Sequence, residues 1–545
     1  IGSLANGTDK SNLLVEKFGS VFPEKPTAKS RFFREGLKDL SALEPLAEVC
    51  CKAMDNPQCC EEMIAALKQH KILPADRISF LVGSAYLVEC DTVKKWWQSY
   101  RLQFQRPGKS DDASRCLITG ELVSPLATVP KTSGLSVVGG HPSGDALICF
   151  DKPAFCSYGL KKSANAPVSE EAFAQVKVAL DTLLKDAPIL AGMKFVHWYD
   201  KPLPKPDEDV IRSVFGTMQE ENEEEDDEEE SAPEEDSAVI LQAKRAADTL
   251  VGSVNSGQPA VGLPSRYFIL LLSGVKGRVM VRRFTQGSYE ELKANLDRLY
   301  AELRLVNRGG TDDRKPIKLT ARFIALLKRE KTNKKIFERL SDEIPSLSVS
   351  VVHAIIQGTP FPDAVAVRAL QSIRSQMTED SHGSDTIVPD PICCQWLKVW
   401  LIRNKKEVQL MPEYNPNHPN PAYHIGAMVA VYAALQLRAY PDVNVTVVQR
   451  FFASAQQTPA LVLGRLAKMS THHLAKLENS AAAKAYAARL AEISTRIGDS
   501  IPTVLELHEQ SLFALGYYQM SAALNRERRE ASAKKNESSH SDKEE

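Results

Sequence analysis

The residues of this sequence best suited to chemistry lie in a loop that ends at Ser169. The turn Ser157-Tyr158-Gly159 precedes a basic pair, Lys161-Lys162, and the segment Asn165-Ala166-Pro167. Glycine and proline fix the shape of loops, and Asn, Tyr, Ser and Lys are side chains that touch phosphates and base edges. The pattern therefore predicts a recognition loop for a polar ligand. Alternatively, Tyr158 is a loop-packing aromatic residue and Gly159 only satisfies the geometry of the turn.

Regular elements are predicted on both sides of this loop and would hold it in place. The apolar run Ala146–Phe150 predicts a strand, which ends at Asp151-Lys152-Pro153. Apolar residues spaced three or four apart predict an amphipathic helix over Glu170–Leu184. Ser169 precedes this helix and is suited to cap its first turn. The loop is thus expected to sit on a rigid frame.

The charge of the chain is unevenly distributed. Its net charge is −1, but Gln219–Asp236 contains 13 acidic residues and no basic ones, so the remainder carries +12. The segment Lys276–Arg339 alone has 18 Lys and Arg against 8 Asp and Glu. A body this basic favours a polyanionic partner, although a solvated charged surface would give the same composition. The acidic tract has too few apolar residues to fold and is expected to be disordered.

No catalytic or metal-binding pattern is evident in the sequence. The ten cysteines include three adjacent pairs, but no CxxC or Cys/His zinc spacing occurs, so free thiols are expected. Gly108-Lys109-Ser110 lacks the first glycine of a phosphate loop, and the adjacent His472-His473 would point apart on a helix. We therefore expect no cofactor and no metal, and a binding or scaffolding protein rather than an enzyme. A thiol nucleophile at Cys116 is the weaker alternative.

The chain is too long for one hydrophobic core. The predicted fold class is α+β, with a mixed α/β N-terminal and central part and a C-terminal all-helical bundle. Strands are predicted over Arg266–Leu272 and Arg278–Phe284, and helices are predicted to start at Asn420-Pro421 and Thr458-Pro459. The predicted division is a mainly helical part over 1–105, an α+β motif-recognition region over 106–215, a disordered acidic insertion over 216–240, a basic strand-hairpin and helical region over 241–390, a helical bundle over 391–525 and a disordered tail over 526–545. Because the sequence starts at Ile1, a further upstream segment is expected.

Three ordered blocks give the sequence a resemblance to a known family. The first comprises Cys116, Thr119-Gly120, Ser143-Gly144 and the loop that ends at Ser169. The second runs from Ala422-Tyr423 to His472-His473-Leu474, and the third is Phe513-Ala514-Leu515-Gly516-Tyr517-Tyr518. In this order, the blocks resemble the large subunit (Csd1-type) of the type I-C CRISPR Cascade surveillance complex. The acidic insertion and Gln519-Met520 depart from the family pattern.

The resemblance implies a non-catalytic subunit at the foot of an RNA-guided antiviral complex. Such a protein recognises the protospacer-adjacent motif in duplex DNA, promotes R-loop formation, holds the displaced single strand and recruits the helicase-nuclease. Its implied partners are a guide crRNA ribonucleoprotein with repeated backbone subunits, a repeat-end-binding subunit, a small subunit, the helicase-nuclease and the target DNA, in the cytoplasm and without a membrane. The C-terminal bundle would resemble the small subunit, for which Met411 and Met428 are candidate internal starts.

Within that implied role, candidate contacts fall on individual residues. Asn, Ser and backbone amides suit the degenerate pattern of the minor groove. Base-edge contacts are therefore expected from Lys131, Ser157 and Asn165, phosphate contacts from Lys161 and Lys162, and wedging or stacking from Tyr158 beside Gly159. The residues expected to guide the separated strand are Arg278, Arg282, Arg283, Lys334 and Lys335. The alternatives are a nucleic-acid-processing nuclease with an unrecognised active site and a scaffold that binds no nucleic acid.

Overall fold

The protein is described by a computed structural model. The residues that it describes are 9–104, 114–123, 128–150, 152–156, 158–160, 162–202, 209–215, 266–311, 319–329, 334–378, 388–443, 445–477, 480–499 and 501–544. The chain divides into two compact units: Ile1–Lys131 with Ala146–Asp181, and Thr132–Asp145 with Thr182–Glu545. The finer six-part division stays a prediction, and its acidic insertion lies outside the described residues.

The described elements are short strands and many helices. The strands are β1 Glu16–Lys17, β2 Arg77–Ile78, β3 Leu81–Val82, β4 Ala85–Tyr86, β5 Ser114–Arg115, β6 Leu122–Val123, β7 Ile189–Leu190, β8 Met193–Tyr199, β9 Arg266–Val275 and β10 Arg278–Ser288. The helices are α1 Phe18–Val21, α2 Ala28–Ser41, α3 Pro45–Asp55, α4 Pro57–Gln69, α5 Asp91–Leu102, α6 Glu170–Asp186, α7 Val210–Phe215, α8 Tyr289–Leu303, α9 Leu319–Ile324, α10 Ile336–Glu343, α11 Pro345–Gln357, α12 Asp363–Thr378, α13 Pro391–Lys405, α14 Pro421–Ala439, α15 Val447–Gln457, α16 Pro459–Lys476, α17 Ala481–Ile497 and α18 Leu507–Glu544. Paired antiparallel strands beside a helical C-terminal region confirm the α+β class.

The first unit is built mainly from helices around a small apolar core. Helix α2 begins at a reciprocal capping box between Thr27 and Ser30, and it buries one face of apolar residues. Phe33 and Leu37 of that face pack with Trp97 of α5. The capping and the apolar spacing together explain why this segment is helical and which face it buries.

The strand predicted over Ala146–Phe150 is wrong, because no continuous strand forms there. Instead, Leu147 and Ile148 pack against a small cluster of Val129, Val168 and Phe173. The spacing of apolar residues alone does not distinguish a short buried strand from a buried loop segment. By contrast, helix α6 begins at Glu170 as predicted, with the Ser169 hydroxyl accepting the N–H of Ala172 at 3.2 Å.

The second unit contains a four-stranded antiparallel sheet in the order β10-β9-β8-β7. The two-residue turn Lys276-Gly277 joins β9 to β10, and both residues have positive φ, 48° and 82°. That geometry is typical of a type I′ turn, whose twist matches that of the flanking strands. The predicted hairpin is therefore confirmed, although both strands extend beyond their predicted ends.

One face of this sheet and the C-terminal helices share a single hydrophobic core, to which Tyr267, Ile269 and Leu271 of β9 contribute. Helices α14 and α18 approach closely at two glycines. A Cβ on Gly426 would lie 2.0 Å from the carbonyl oxygen of Phe513, and one on Gly516 would lie 2.0 Å from that of Tyr423. Only glycine permits such a backbone approach.

Two details at helix ends differ from the prediction. Asn420 and Thr458 each precede a first-turn proline and are residue types that cap helices. Asn420 does cap α14, accepting the N–H of Ala422 at 2.8 Å, but the Thr458 hydroxyl donates to Ser454 instead of capping α16. Helix α18 continues to Glu544 through the predicted tail, where Arg, Glu, Ala and Lys are good helix formers. In the residues that the structure describes, no helix combines the length and the apolar composition needed to span a bilayer.

Candidate nucleic-acid-binding surfaces

The recognition loop, defined here as residues 152–169, presents an exposed aromatic tip in the first unit. Tyr158 is fully exposed and has φ 53°, and the following Gly159 has φ 74°. No atom lies within 4 Å of a Cβ placed on Gly159. A non-glycine residue with positive φ costs on the order of 1 kcal/mol or more and marks a locally determined geometry. The alternative of Tyr158 as a loop-packing residue does not fit this exposure.

Asn165 determines the shape of this loop. Its side-chain nitrogen donates to the carbonyl oxygens of Leu160 at 3.2 Å and Lys162 at 3.0 Å. Lys162, exposed and with φ 49°, begins the short 3-10 helix Lys162–Asn165. Side-chain to backbone bonds of this kind replace the regular ladder in turns. Asn165 therefore positions Lys162, while its predicted base contact stays a prediction.

A small hairpin holds the base of the loop. The N–H of Leu117 donates to the carbonyl oxygen of Pro167 at 2.9 Å, and the N–H of Ser169 donates to the Cys116 sulfur at 3.3 Å. Cys116 is 2% exposed. Hydrogen bonds from Thr119, and after them one from Ser169, lower the pKa of the Cys116 thiol to about 6. The cysteine is thus a structural hydrogen-bond acceptor. It links the β5–β6 hairpin to Ser169, the residue that precedes α6.

A second link fixes the helix that follows the loop. The Arg101 guanidinium of α5 forms an ion pair with Glu170 in the first turn of α6. The Arg101 side chain is 4% exposed, so the pair is screened little by water. A carboxylate in the first turn also suits the positive end of the helix dipole. This pair explains how the first unit holds α6 while the loop tip remains exposed.

Three further candidate residues of the first unit are Lys131, Ser157 and Lys161. Lys131 is exposed at the end of the first unit's first segment. Ser157 and Lys161 lie outside the described residues. The structure therefore brings together Tyr158, Gly159, Lys162 and Asn165 in one loop.

The second unit carries three candidate arginines on β10, an edge strand of the sheet. Arg282 lies at a β-bulge, and its Nε donates to the Ser273 hydroxyl at 2.8 Å. Arg283 contacts Nε2 of His353 at 2.7 Å, and Arg278 is exposed at the turn. Burial, and then the Arg283 charge, lower the pKa of His353, so its neutral ring accepts from Arg283. Cations on an edge strand also discourage pairing with another chain.

The two candidate lysines begin the segment around helix α10. Lys334 Nζ lies 2.8 Å from an Asp342 carboxylate oxygen, which raises the pKa of Lys334. Lys335 is the exposed N-cap residue of α10. An exposed ion pair of this kind is weak, so a phosphate could replace Asp342 at little cost.

Sequence reasoning missed an aromatic surface on the sheet. Trp198 of β8 stacks on Phe268 of β9, with ring centroids 5.4 Å apart and planes at 9°. Phe284 of β10 lies 6.5 Å from Trp198. The continuous apolar run Tyr267–Leu272 does not reveal which residues face the core, because all of them are apolar. The strand register reveals it.

The described residues contain no group of three or more His, Cys, Asp or Glu side chains suited to a metal ion. All ten cysteines are free thiols, as predicted. The arrangement offers exposed cations, an exposed aromatic tip and an aromatic sheet face, which are means of binding nucleic acid.

Comparison with known proteins bears on the whole chain. A protein-family model described as CRISPR-associated protein (Cas_Csd1) matches residues 10–525. No curated protein matches the sequence. The family match includes the recognition loop, the β9–β10 hairpin and the helices that carry the two close glycines. The resemblance seen in the three sequence blocks is confirmed.

Proposed function

The chain belongs to the CRISPR-associated Csd1 family, and on that premise we propose that it is the non-catalytic large subunit of a type I-C Cascade complex. In this proposal it recognises the protospacer-adjacent motif in duplex DNA, promotes R-loop formation and recruits the helicase-nuclease. The family match over residues 10–525 is the observation that carries the proposal. The guide RNA reads the long target sequence, and the protein reads only a short motif.

The geometry of the recognition loop supports motif reading. Tyr158 projects fully exposed from a backbone of fixed, left-handed conformation, and Lys162 lies on the same short loop. Side chains that enter the minor groove wedge between base steps and open them, at an unstacking cost of a few kcal/mol per step. An exposed aromatic tip beside an exposed lysine suits this action. Ser157 and Lys161 remain proposed contacts, as do Asn165 and Lys131.

The cations of the second unit support a role in guiding the separated strand. Edge strand β10 carries three exposed arginines, Arg278, Arg282 and Arg283. Two exposed lysines, Lys334 and Lys335, precede α10. Their contacts would be to phosphates and therefore independent of sequence. Such binding weakens steeply with salt, because each neutralised phosphate releases a counterion.

A motif-library experiment tests the proposal. The full chain, assembled with guide RNA and its sibling subunits, is offered duplexes with a matched target beside a randomised motif, and the bound fraction is sequenced. We expect a short enriched motif with the native chain. With Tyr158→Ala we expect weaker enrichment, by about fivefold or more, since loss of one base–aromatic stacking contact costs about 1–3 kcal/mol.

Tyr86→Ala is the matched control, because Tyr86 is a second exposed tyrosine of the same unit, 45% exposed, outside the loop. It should leave the enrichment unchanged. No enriched motif with the native complex, or equal enrichment with Tyr158→Ala, would contradict the proposal.

A further inference from the structure

Three aromatic rings form a continuous row across adjacent strands of the second unit's sheet. Trp198 of β8 pairs in register with Phe268 of β9, and Phe284 of β10 pairs with Leu270. The rings of Trp198 and Phe268 are nearly parallel at 5.4 Å, and Phe284 lies at 6.5 Å and 30° from Trp198. Side chains two apart on a strand share a face, so all three rings lie on the face opposite Tyr267 and Ile269.

The two ends of this face differ in how they are covered. One end is covered by Gly140, because a Cβ placed on Gly274 would lie 2.1 Å from the Gly140 Cα. At this end Lys194 also donates to the carbonyl oxygen of Ala187 at 3.0 Å. At the other end, Phe284 is 50% exposed, and Trp198 and Phe268 are half-buried. Among the described residues, aromatic surface therefore reaches solvent at the end that carries Phe284.

A cation borders the aromatic end. The Arg266 guanidinium lies 5.3 Å from the ring centroid of Phe268 and donates to Gln286 at 2.9 Å. The Asp200 carboxylate nearby accepts the backbone N–H of Arg266 at 3.1 Å. The arginine is thus held over the ring row by a hydrogen bond, a ring contact and its backbone position. A fixed guanidinium beside stacked rings suits a phosphate that connects stacked bases.

We propose that Trp198, Phe268, Phe284 and Arg266 form a stacking platform for single-stranded DNA, the strand displaced when the target duplex opens. This inference rests on the proposed function, which supplies that strand. Bases in a duplex are paired and stacked on each other, whereas unpaired bases stack on aromatic side chains in a sequence-tolerant way. Arg266 lies on the same face as the rings and supplies positive charge for a phosphate. The arginines of β10 belong to the opposite face, since Arg283 pairs with Leu271 and Arg282 donates to Ser273.

Cross-strand aromatic pairs also stabilise sheets, and this role explains the Trp198–Phe268 pair. It does not explain Phe284, which leaves half of its ring in solvent on an edge strand. Phe284 is therefore the residue whose substitution tests the proposal with little effect on folding.

The test measures binding of a fluorescent oligothymidylate of about 15 nucleotides to the full chain by anisotropy, a site size typical of such grooves. We expect Phe284→Ala to weaken binding by about 5- to 100-fold, as removal of a base-stacking ring does. Arg266→Gln should weaken it less and reduce its salt dependence. The matched control is Met280→Ala on the same strand, 39% exposed and paired with Ser273 on the opposite face, which should bind as the native chain does.

Equal binding by Phe284→Ala and Met280→Ala would overturn the platform. Tighter binding of RNA than of DNA of the same sequence would overturn the assignment to the displaced strand. A change in self-association or in sibling-subunit binding, with single-strand affinity intact, would show that the face docks protein instead. The motif library is a separate readout. Its failure alone would refute the proposed function, whereas weaker oligothymidylate binding by Phe284→Ala than by Met280→Ala would still establish the platform.

Discussion

At the scale of single residues, hydrogen bonds rather than residue type decide what each candidate does. Asn165 has the side chain expected of a base reader, yet its amide nitrogen braces Leu160 and Lys162. Cys116 has the side chain of a nucleophile, yet it is buried and accepts the N–H of Ser169. The sequence places both residues in one block, and the structure joins the Cys116 hairpin to the base of the recognition loop by hydrogen bonds. The sequence does not predict their partners, because those partners depend on backbone conformations such as the positive φ of Tyr158 and Lys162.

Cys116 makes the stability of the protein depend on pH. Its folded-state pKa of about 6 lies below the ordinary value of 9.0. The thiolate therefore stabilises the fold fully above about pH 9, and this contribution is lost as the pH falls through about 6. We expect the free energy of unfolding, from denaturant titrations at pH 6 and pH 9, to rise with pH more in the native chain than in Cys116→Ser. Parallel pH dependences for the two proteins would contradict this role.

At the scale of elements, close packing distinguishes helices that look alike in sequence. Helix α14 and the part of α18 around Gly516 are apolar, which predicts a bundle but not which helices meet. The structure places Gly426 against Phe513 and Gly516 against Tyr423. Likewise, two strand-like runs that flank the turn Ser273–Gly277 predict the β9–β10 hairpin, but the uniformly apolar run Tyr267–Leu272 hides the face that carries Phe268. Register is set by the Lys276-Gly277 turn and by the bulge at Arg282, which the pattern of apolar residues does not predict.

Glycine substitutions test this packing. In Gly516→Ala the new methyl group would overlap the Tyr423 carbonyl, because a Cβ at this position would lie only 2.0 Å from its oxygen. Because neither backbone can move freely, we expect a loss of about 2 kcal/mol or more in the free energy of unfolding. Gly464→Ala is the control: this helical position of α16 has no atom within 4 Å of the Cβ, so alanine should stabilise the protein by up to about 1 kcal/mol. Equal effects at both positions, measured by chemical denaturation, would refute the close approach.

At the scale of the whole molecule, charge and architecture agree with a subunit that handles nucleic acid. The hidden surplus of +12 outside the acidic tract gives attraction to a polyanion without sequence preference. In the proposed function, the recognition loop of the first unit reads the motif, and the sheet of the second unit offers cations and aromatic rings to the separated strand. The fold class and the family could be predicted from the sequence. The contact between Trp198, Phe268 and Phe284 could not be predicted, because it forms only when three strands align.

The most direct test of the account is purification of the full chain, through a tag on it, from cells that make it with its guide RNA and sibling subunits. We predict that it elutes with a guide RNA of defined length and with a repeated backbone subunit, and that the association survives moderate salt because several contacts act together. Elution of the folded chain alone, without RNA and without sibling subunits, would contradict the central claim that it is a subunit of an RNA-guided complex.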